Sequence, residues 1–318
     1  MSRTFPVIRV AEVTVSRQHR WLIRYLWSDQ AVGIVGGPAK ACKSWLGLEM
    51  AISVASGVDC LGRFPVEVAG PVLIYMAEDA LPAVRERVQA LCRHRALDLD
   101  SLPVYLIDTP SIRLDHDEHQ ARLSQTIKQL KPKLLLLDPL VRLHRSNENC
   151  AMEMAQILGF LRELQRSFQM ALVLVHHTSK KHHAHPGQAL RGSSDIHAWT
   201  DSSLFVQQKG SNLLLTVEHR SAPAPEPMIM KLVQGEGATA THLTVRGREN
   251  PLTQQGDRSL TDAVSELLRQ SDHPLVRDVI RKQLGIRNQS LGYVLNDLEQ
   301  KGTIRKTNTG WAFIEEPL

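Results

Sequence analysis

The sequence predicts an α/β fold, a mostly parallel sheet wrapped by helices, followed by a smaller C-terminal module with a different pattern. Three observations carry this expectation. Short, continuously apolar runs such as Leu134–Leu137 and Ala171–Val175 read as strands buried on both faces. Between such runs, apolar residues recur at helical spacing, most clearly Met154, Ile157, Leu158, Leu161 and Leu164. Beyond Arg258 the alternation stops, and three short helical periods are followed by a hairpin pattern.

Taken in order, residues 1–30 read as a lead-in, with an edge strand around Val7–Val15 and a short amphipathic helix over Trp21–Trp27 packed on the core. The core is expected over residues 31–245. It begins with a strand at Val32–Val35 and a helix at Trp45–Val54. Pro71–Met76 is the next buried strand, then a helix over Leu81–Arg95, a strand at Val104–Ile107 and a helix over Asp117–Leu130. Leu134–Asp138 is the clearest strand, followed by a helix over Ala151–Phe168 and a strand at Ala171–Val175. Ser203–Gln207, Leu213–Arg220, Met228–Val233 and His242–Val245 have no helices between them, so they extend the sheet as a meander. Residues 246–258, rich in Gly, Asn-Pro and Gln-Gln-Gly-Asp, read as a linker. In residues 259–318, helices at Leu260–Arg269, Leu275–Leu284 and Gln289–Gln300 precede a hairpin from Lys301–Lys306 to Gly310–Phe313, the order of a winged-helix domain.

Composition narrows the function classes. With 318 residues, 42% of them apolar, the chain can bury a full core. A formal charge of +5 permits a nucleic-acid partner without demonstrating one. The four cysteines, Cys42, Cys60, Cys92 and Cys150, share no close spacing, which argues against a disulfide framework or a zinc ribbon. No apolar run approaches the roughly 20 residues of a membrane helix, and no secretory leader is legible, so a cytoplasmic location is expected.

The most informative stretch is Gly36-Gly37-Pro38-Ala39-Lys40-Ala41-Cys42-Lys43-Ser44, set between an apolar strand and the helix from Trp45. A strand, a small-residue loop ending in Lys-Ser and a helix form a phosphate cradle. Loop N–H groups and the positive end of the helix surround the anion. Residues Gly37 to Trp45 are therefore the candidate ATP-binding segment, with Lys43 against the β/γ-phosphates and the Ser44 hydroxyl on Mg²⁺. The pattern normally has Gly directly before the Lys; here Cys42 stands there. A left-handed backbone at that site makes its β-carbon cost about 1–2 kcal/mol. A thiol at a helix N-terminus beside a lysine also raises a redox-sensitive reading.

In open α/β sheets the chemistry sits at the carboxyl ends of the strands. Those ends carry Glu78-Asp79, Asp138 and His176-His177. Asp138 is the candidate Mg²⁺ acid, and Glu78 the base that activates water, with Asp79 as the competing assignment. His177, rather than His176, is the candidate γ-phosphate sensor. The loop from Ser179 to Ser194 carries Lys180, Lys181 and Arg191, suited to the backbone of single-stranded DNA. Its run His182-His183-Ala184-His185 has no Cys or carboxylate at ligand spacing, so it is read as loop rather than metal site. Arg220, at the end of a strand, would project from the subunit edge, where an arginine can reach a neighbour's active site.

With these residues assembled, the chain resembles the RecA-like AAA ATPases of the plasmid RepA type, hexameric replicative helicases. The likeness covers roughly residues 20–245. It rests on the order Trp21-Leu22-Ile23, Lys43-Ser44-Trp45-Leu46, Ala77-Glu78-Asp79, Leu137-Asp138-Pro139-Leu140, Val175-His176-His177-Thr178 and Leu190-Arg191-Gly192-Ser193-Ser194. The resemblance implies a RecA-like P-loop ATPase core, assembly into a hexameric ring, and ATP-driven movement on single-stranded DNA. By matching position it gives Lys43 and Ser44 the phosphates and Mg²⁺, and makes Glu78 the catalytic base, Asp138 the Walker-B acid and His177 the sensor. Arg220 becomes an arginine finger acting in trans. Two positions depart from the pattern: Cys42, and Glu218, where related ring helicases often carry Lys.

The C-terminal module is nearly neutral, with nine Lys and Arg against eight acids over residues 258–318. Its distribution is more suggestive. Arg287, Asn288 and Gln289 start the third helix, where a recognition helix meets base edges, and Lys301, Arg305 and Lys306 lie on the expected wing. Double-stranded DNA and a docking protein remain alternative partners for this module. The expected function is an ATP-dependent DNA helicase or translocase serving replication of a plasmid or mobile element. The alternative is a nucleotide-switched DNA-binding or assembly factor that does not unwind.

Overall fold

The computed structural model describes residues 5, 7–13, 19–178, 190, 194–209, 212–235, 240–247, 260–271, 273–284, 291, 292, 294, 295, 298, 299, 302–307 and 309–314. Numbered in chain order, the strands of the first unit are β1 (Trp21–Ile23), β2 (Trp27–Ser28), β3 (Val32–Gly37), β4 (Val72–Met76), β5 (Val104–Leu106), β6 (Leu134–Asp138), β7 (Ala171–His177), β8 (Ser202–Lys209), β9 (Asn212–His219), β10 (Met228–Val233) and β11 (His242–Gly247). Its helices are α1 (Lys43–Ser56), α2 (Leu81–His94), α3 (Asp117–Leu130), α4 (Ala151–Phe168) and α5 (Ser194–Trp199). Among the described residues, nine strands form one sheet in the order β11-β10-β9-β8-β3-β7-β6-β4-β5. Pairing is parallel from β8 through β5 and antiparallel from β8 to β11. The fold is thus α/β with a mostly parallel sheet, extended on one side by the meander.

The apolar runs sort into two layers because successive strand side chains point to opposite faces. Ile74, Leu134, Leu136, Val173 and Val175 pack with α1 and α2 on one face. Leu73, Tyr75, Leu135, Leu137, Leu172 and Leu174 pack with α3 and α4 on the other. Strands covered on both sides need no polar alternation, which explains the four consecutive leucines of β6.

Glycine fixes how tightly β3 sits at the centre. A β-carbon at Gly33 would lie 1.6 Å from the Ser202 carbonyl oxygen on β8, and one at Gly37 would lie 2.6 Å from the Val206 carbonyl oxygen. Only residues without a side chain let β3 approach β8 this closely.

The lead-in differs from expectation in two places. Trp21–Trp27 is not a helix: β1 and β2 pair antiparallel around a turn in which Tyr25 has φ 62°. Trp21, Leu22, Ile23, Leu26 and Trp27 are all buried, whereas an amphipathic helix would bury one stripe. The expected edge strand at Val7–Val15 is also absent from the described residues: Val10–Glu12 is a 3-10 turn, and Phe5, Val7, Ile8, Val10 and Val13 are exposed. A strand needs a partner ladder, and the described sheet offers this segment none.

The chain divides into two units, residues 1–247 and 248–318. The second contains α6 (Leu260–Arg269), α7 (Arg277–Leu284), β12 (Ile304–Thr307) and β13 (Gly310–Phe313). Residues 291, 292, 294, 295, 298 and 299 are also helical. β12 and β13 pair antiparallel. Val264, Leu268, Ile280, Leu284, Leu291, Leu295, Leu298, Ile304 and Trp311 form the core of this unit. α7 starts two residues later than the periodicity indicates because Leu275 exchanges backbone hydrogen bonds with Trp311, at 2.9 and 2.8 Å.

Candidate active site

The carboxyl ends of β3, β4, β6 and β7 lie side by side, and backbone bonds tie them together. Ala77 N–H donates to the Asp138 carbonyl at 2.7 Å, and Thr178 N–H donates to the Gly37 carbonyl at 3.1 Å. Above them opens a cavity of ≈ 480 Å³ lined by residues 39–45, Glu78, Arg87, Asp138, Pro139, His177 and Leu232. The loop between β3 and α1 makes its floor. Lys40 and Cys42 both have left-handed backbones, at φ 63° and 59°. No side chain caps α1, so the N–H groups of its first turn are left to the cavity.

Lys43 is buried, and its ammonium donates to the Pro38 carbonyl at 2.8 Å. Burial lowers its pKa, opposed by the nearby charges of Asp138 and Glu78. Asp138, at the end of β6, is pushed up to about 6. Burial is the main cause, offset by a hydrogen bond from Ser44 and by Lys43, and reinforced by Asp79 and Glu78. Its Oδ2 is buried and has no hydrogen-bond partner. A carboxylate oxygen in this state, beside a hydroxyl, is a donor set that suits a hard divalent cation such as Mg²⁺.

The two neighbouring acids after β4 occupy different environments. Asp79 is held by a bidentate pair with Arg87, at 2.7 and 2.8 Å. Glu78 lines the cavity and receives a single bond from Arg142 Nε at 2.7 Å, with both side chains substantially exposed. His177 is half-buried, lies beside Gly37 in the β3–β7 register and lines the cavity. His176 points to the other face, buried, with its Nδ1 3.7 Å from Glu148.

Cys42 occupies the left-handed position that the loop pattern gives to Gly. Burial pushes its thiol up, opposed only by Lys43, so the setting disfavours the thiolate that a redox-sensitive reading requires. Arg220 follows β9 and lies outside the lining of its own chain's cavity. Its guanidinium donates to the Ala198 carbonyl and lies 3.5 Å from Asp201, which also pairs with Arg162 at 2.5 Å. Glu218 takes a hydrogen bond from His197 at 3.0 Å.

Among the residues expected to meet DNA, Arg305 is exposed on β12, beside exposed Lys306. Lys180, Lys181, Arg191, Arg287, Asn288, Gln289 and Lys301 lie outside the described residues. Arg87 and Leu232 were not legible as site residues. Arg87 comes from α2, where an arginine on an amphipathic helix carries no special signal. Leu232 comes from the meander, and only the folded sheet brings β10 near the loop.

Two stability measurements follow. Because the Asp138 pKa is raised in the folded state, ionised Asp138 destabilises the ligand-free chain above about pH 6, and protonation relieves this as pH falls toward 4. Asp138→Asn is expected to raise stability by on the order of 2–3 kcal/mol at pH 7.5, with the gain vanishing near pH 4. Urea unfolding at the two pH values checks this, and an equal gain at both would contradict it. Cys42→Gly is expected to stabilise the chain by about 1 kcal/mol, since it removes a β-carbon from a left-handed site. A lower unfolding midpoint would show that the thiol's packing outweighs the backbone term.

A solved structure described as an ATPase domain superposes with a TM-score of 0.49 at 11% identity, over 67% of this chain and 85% of that one. Residues 6–183 match a family model described as an AAA domain. That match spans more than half of the chain and includes the loop, Glu78, Asp138 and His177: the protein belongs to the AAA domain family.

Proposed function

We propose that this protein is a RecA-like ATPase of the RepA type that hydrolyses ATP to move along or unwind single-stranded DNA, working as a homo-oligomeric ring. The observation that carries the reading is the convergence of Lys43, Ser44, Glu78, Asp138 and His177 on one cavity at the carboxyl ends of four adjacent strands. In this reading the loop N–H groups and Lys43 hold the phosphates, and Ser44 and Asp138 hold Mg²⁺. Bound Mg²⁺ supplies charge neutralisation at the phosphate oxygens. Glu78, whose carboxylate reaches the cavity while both oxygens of Asp79 are taken by Arg87, accepts the proton of the attacking water. His177, one residue from the buried His176 and level with Gly37, senses occupancy of the loop and passes it to the segment that follows β7.

Arg220 acts in trans, which fits its position outside its own cavity. Lys180, Lys181 and Arg191 contact the DNA backbone. The second unit works as a winged-helix domain, with Arg287, Asn288, Gln289, Lys301 and Arg305 toward duplex DNA or a partner protein. Service in plasmid or mobile-element replication completes the reading.

A second reading, a nucleotide-switched DNA-binding or assembly factor, draws support from one contact. The Arg142 guanidinium on Glu78 lowers the availability of the proposed base, as a slowly hydrolysing switch requires. Steady-state ATPase of wild type and Glu78→Gln, with and without single-stranded DNA, separates the two. The motor reading predicts DNA-stimulated turnover that falls by about 10²–10⁴ in the variant. Slow turnover indifferent to DNA, alongside ATP-dependent DNA binding, would favour the switch.

A further inference from the structure

A second polar cavity opens at the carboxyl end of β5, the side on which open α/β sheets take ligands. Its volume is ≈ 110 Å³, and none of its lining residues lines the larger cavity over the β3–α1 loop. Asp108, Thr109 and Ser111 come from the segment after β5, and His119 and Arg122 from α3. Ile112 and Leu123, both buried, belong to the same lining and anchor it to the core. Polar side chains crowded around so small a space suit an ion better than an apolar group.

Hydrogen bonding fixes what these groups can offer. His119 Nδ1 accepts the Arg113 N–H at 2.8 Å, so the ring carries its hydrogen on Nε2 and has a donor there. The Arg113 guanidinium in turn donates to the Arg142 carbonyl at 2.8 Å, which braces this segment against the turn after β6. The Thr126 hydroxyl, also in the lining, is committed to the Arg122 carbonyl at 2.9 Å. Among the described residues, neither Arg122 nor Asp108 has an ion-pair partner. A guanidinium and a carboxylate thus line one small cavity without pairing with each other, which leaves both to a ligand.

We propose that this cavity binds free inorganic phosphate, with Arg122, His119 and the Thr109 and Ser111 hydroxyls donating to its oxygens and Asp108 accepting from its O–H. Arginine suits the anion through charge-assisted, bidentate bonds. The volume excludes a nucleoside, since sites for molecules of that size run to roughly 300–1,000 Å³. Asp108 sets the choice among oxyanions. Inorganic phosphate keeps at least one O–H at neutral pH, whereas sulfate and the phosphodiesters of nucleic acid carry none and meet the carboxylate only as a repulsion. ATP hydrolysis would release this same anion, but the site stands or falls independently of the ATPase reading.

Equilibrium dialysis of radiolabelled inorganic phosphate against the full chain, at pH 7.5 and constant ionic strength, tests this. Lys43→Ala is the background, because the β3–α1 loop also takes phosphate in the proposed function. The expected result is one saturable site in Lys43→Ala, weakened by about tenfold or more when Arg122→Gln is added. Sulfate and dimethyl phosphate are expected to displace the label about tenfold less well than phosphate does, and Asp108→Asn to erase that preference. Asp108 and Arg122 are both exposed, so neither change removes core packing, and thermal midpoints check this. Absence of saturable binding in Lys43→Ala, binding unmoved by Arg122→Gln, or equal displacement by sulfate would overturn the inference. ATP binding that survives Lys43→Ala, alongside a phosphate site lost with Arg122, would sustain it while defeating the nucleotide reading of the larger cavity.

Discussion

The close approach of β3 to β8 is the constraint on which the rest of this architecture depends. Gly33 accepts the Ser202 carbonyl where a β-carbon would sit 1.6 Å away, and Trp27 closes the same space from the lead-in, 2.9 Å from that point. With β3 held between β7 and β8, the chain leaves the sheet at Gly37 and must turn into α1 within five residues. That turn needs left-handed backbone at Lys40 and Cys42. The cradle is therefore a consequence of sheet packing as much as of the loop's own residues. Gly47 contributes from the helix side: its missing side chain leaves room for Leu136 of β6, 3.0 Å from where a β-carbon would lie.

Electrostatics then sets the character of the cavity. Lys43 and Asp138 are both buried and both pulled toward their neutral forms by desolvation, with each other's charge as partial compensation. Two ionisable groups in this state, one with an unpartnered oxygen, hold free energy that a bound anion and cation would release. Around them the neighbouring acids are already paired, half-buried Asp79 with Arg87 and exposed Glu78 with Arg142. The second pair is the more exposed and uses one bond rather than two, which leaves Glu78 the freer of the adjacent acids.

Much of the core was legible because strand and helix signals there agree with burial. Helices Asp117–Leu130 and Ala151–Phe168 and the strand end at Asp138 follow directly from runs and spacings of apolar residues, whereas β7 runs two residues past the expected end at Val175, to His177. The lead-in was not legible. The stretch from Trp21 to Trp27 has apolar residues at a spacing that fits a helix, but the burial of Trp21, Leu22, Ile23, Leu26 and Trp27 on either side of an exposed turn with left-handed Tyr25 makes it a hairpin. The β-branched segment at Val7–Val15 reads as a strand by propensity, yet propensity cannot supply a partner. At the site, the loop, Glu78, Asp138 and His177 carried local signals. Arg87 and Leu232 carried none, because their place in the cavity is set by how α2 and β10 pack.

The central claim is that the cavity over the β3–α1 loop binds a nucleotide together with Mg²⁺. Isothermal titration of ATP into wild type and Lys43→Ala, each with Mg²⁺ and with chelator, tests it most directly. The account predicts saturable binding that weakens without Mg²⁺ and is lost in Lys43→Ala. Equal affinity in the variant, or binding indifferent to Mg²⁺, would contradict it.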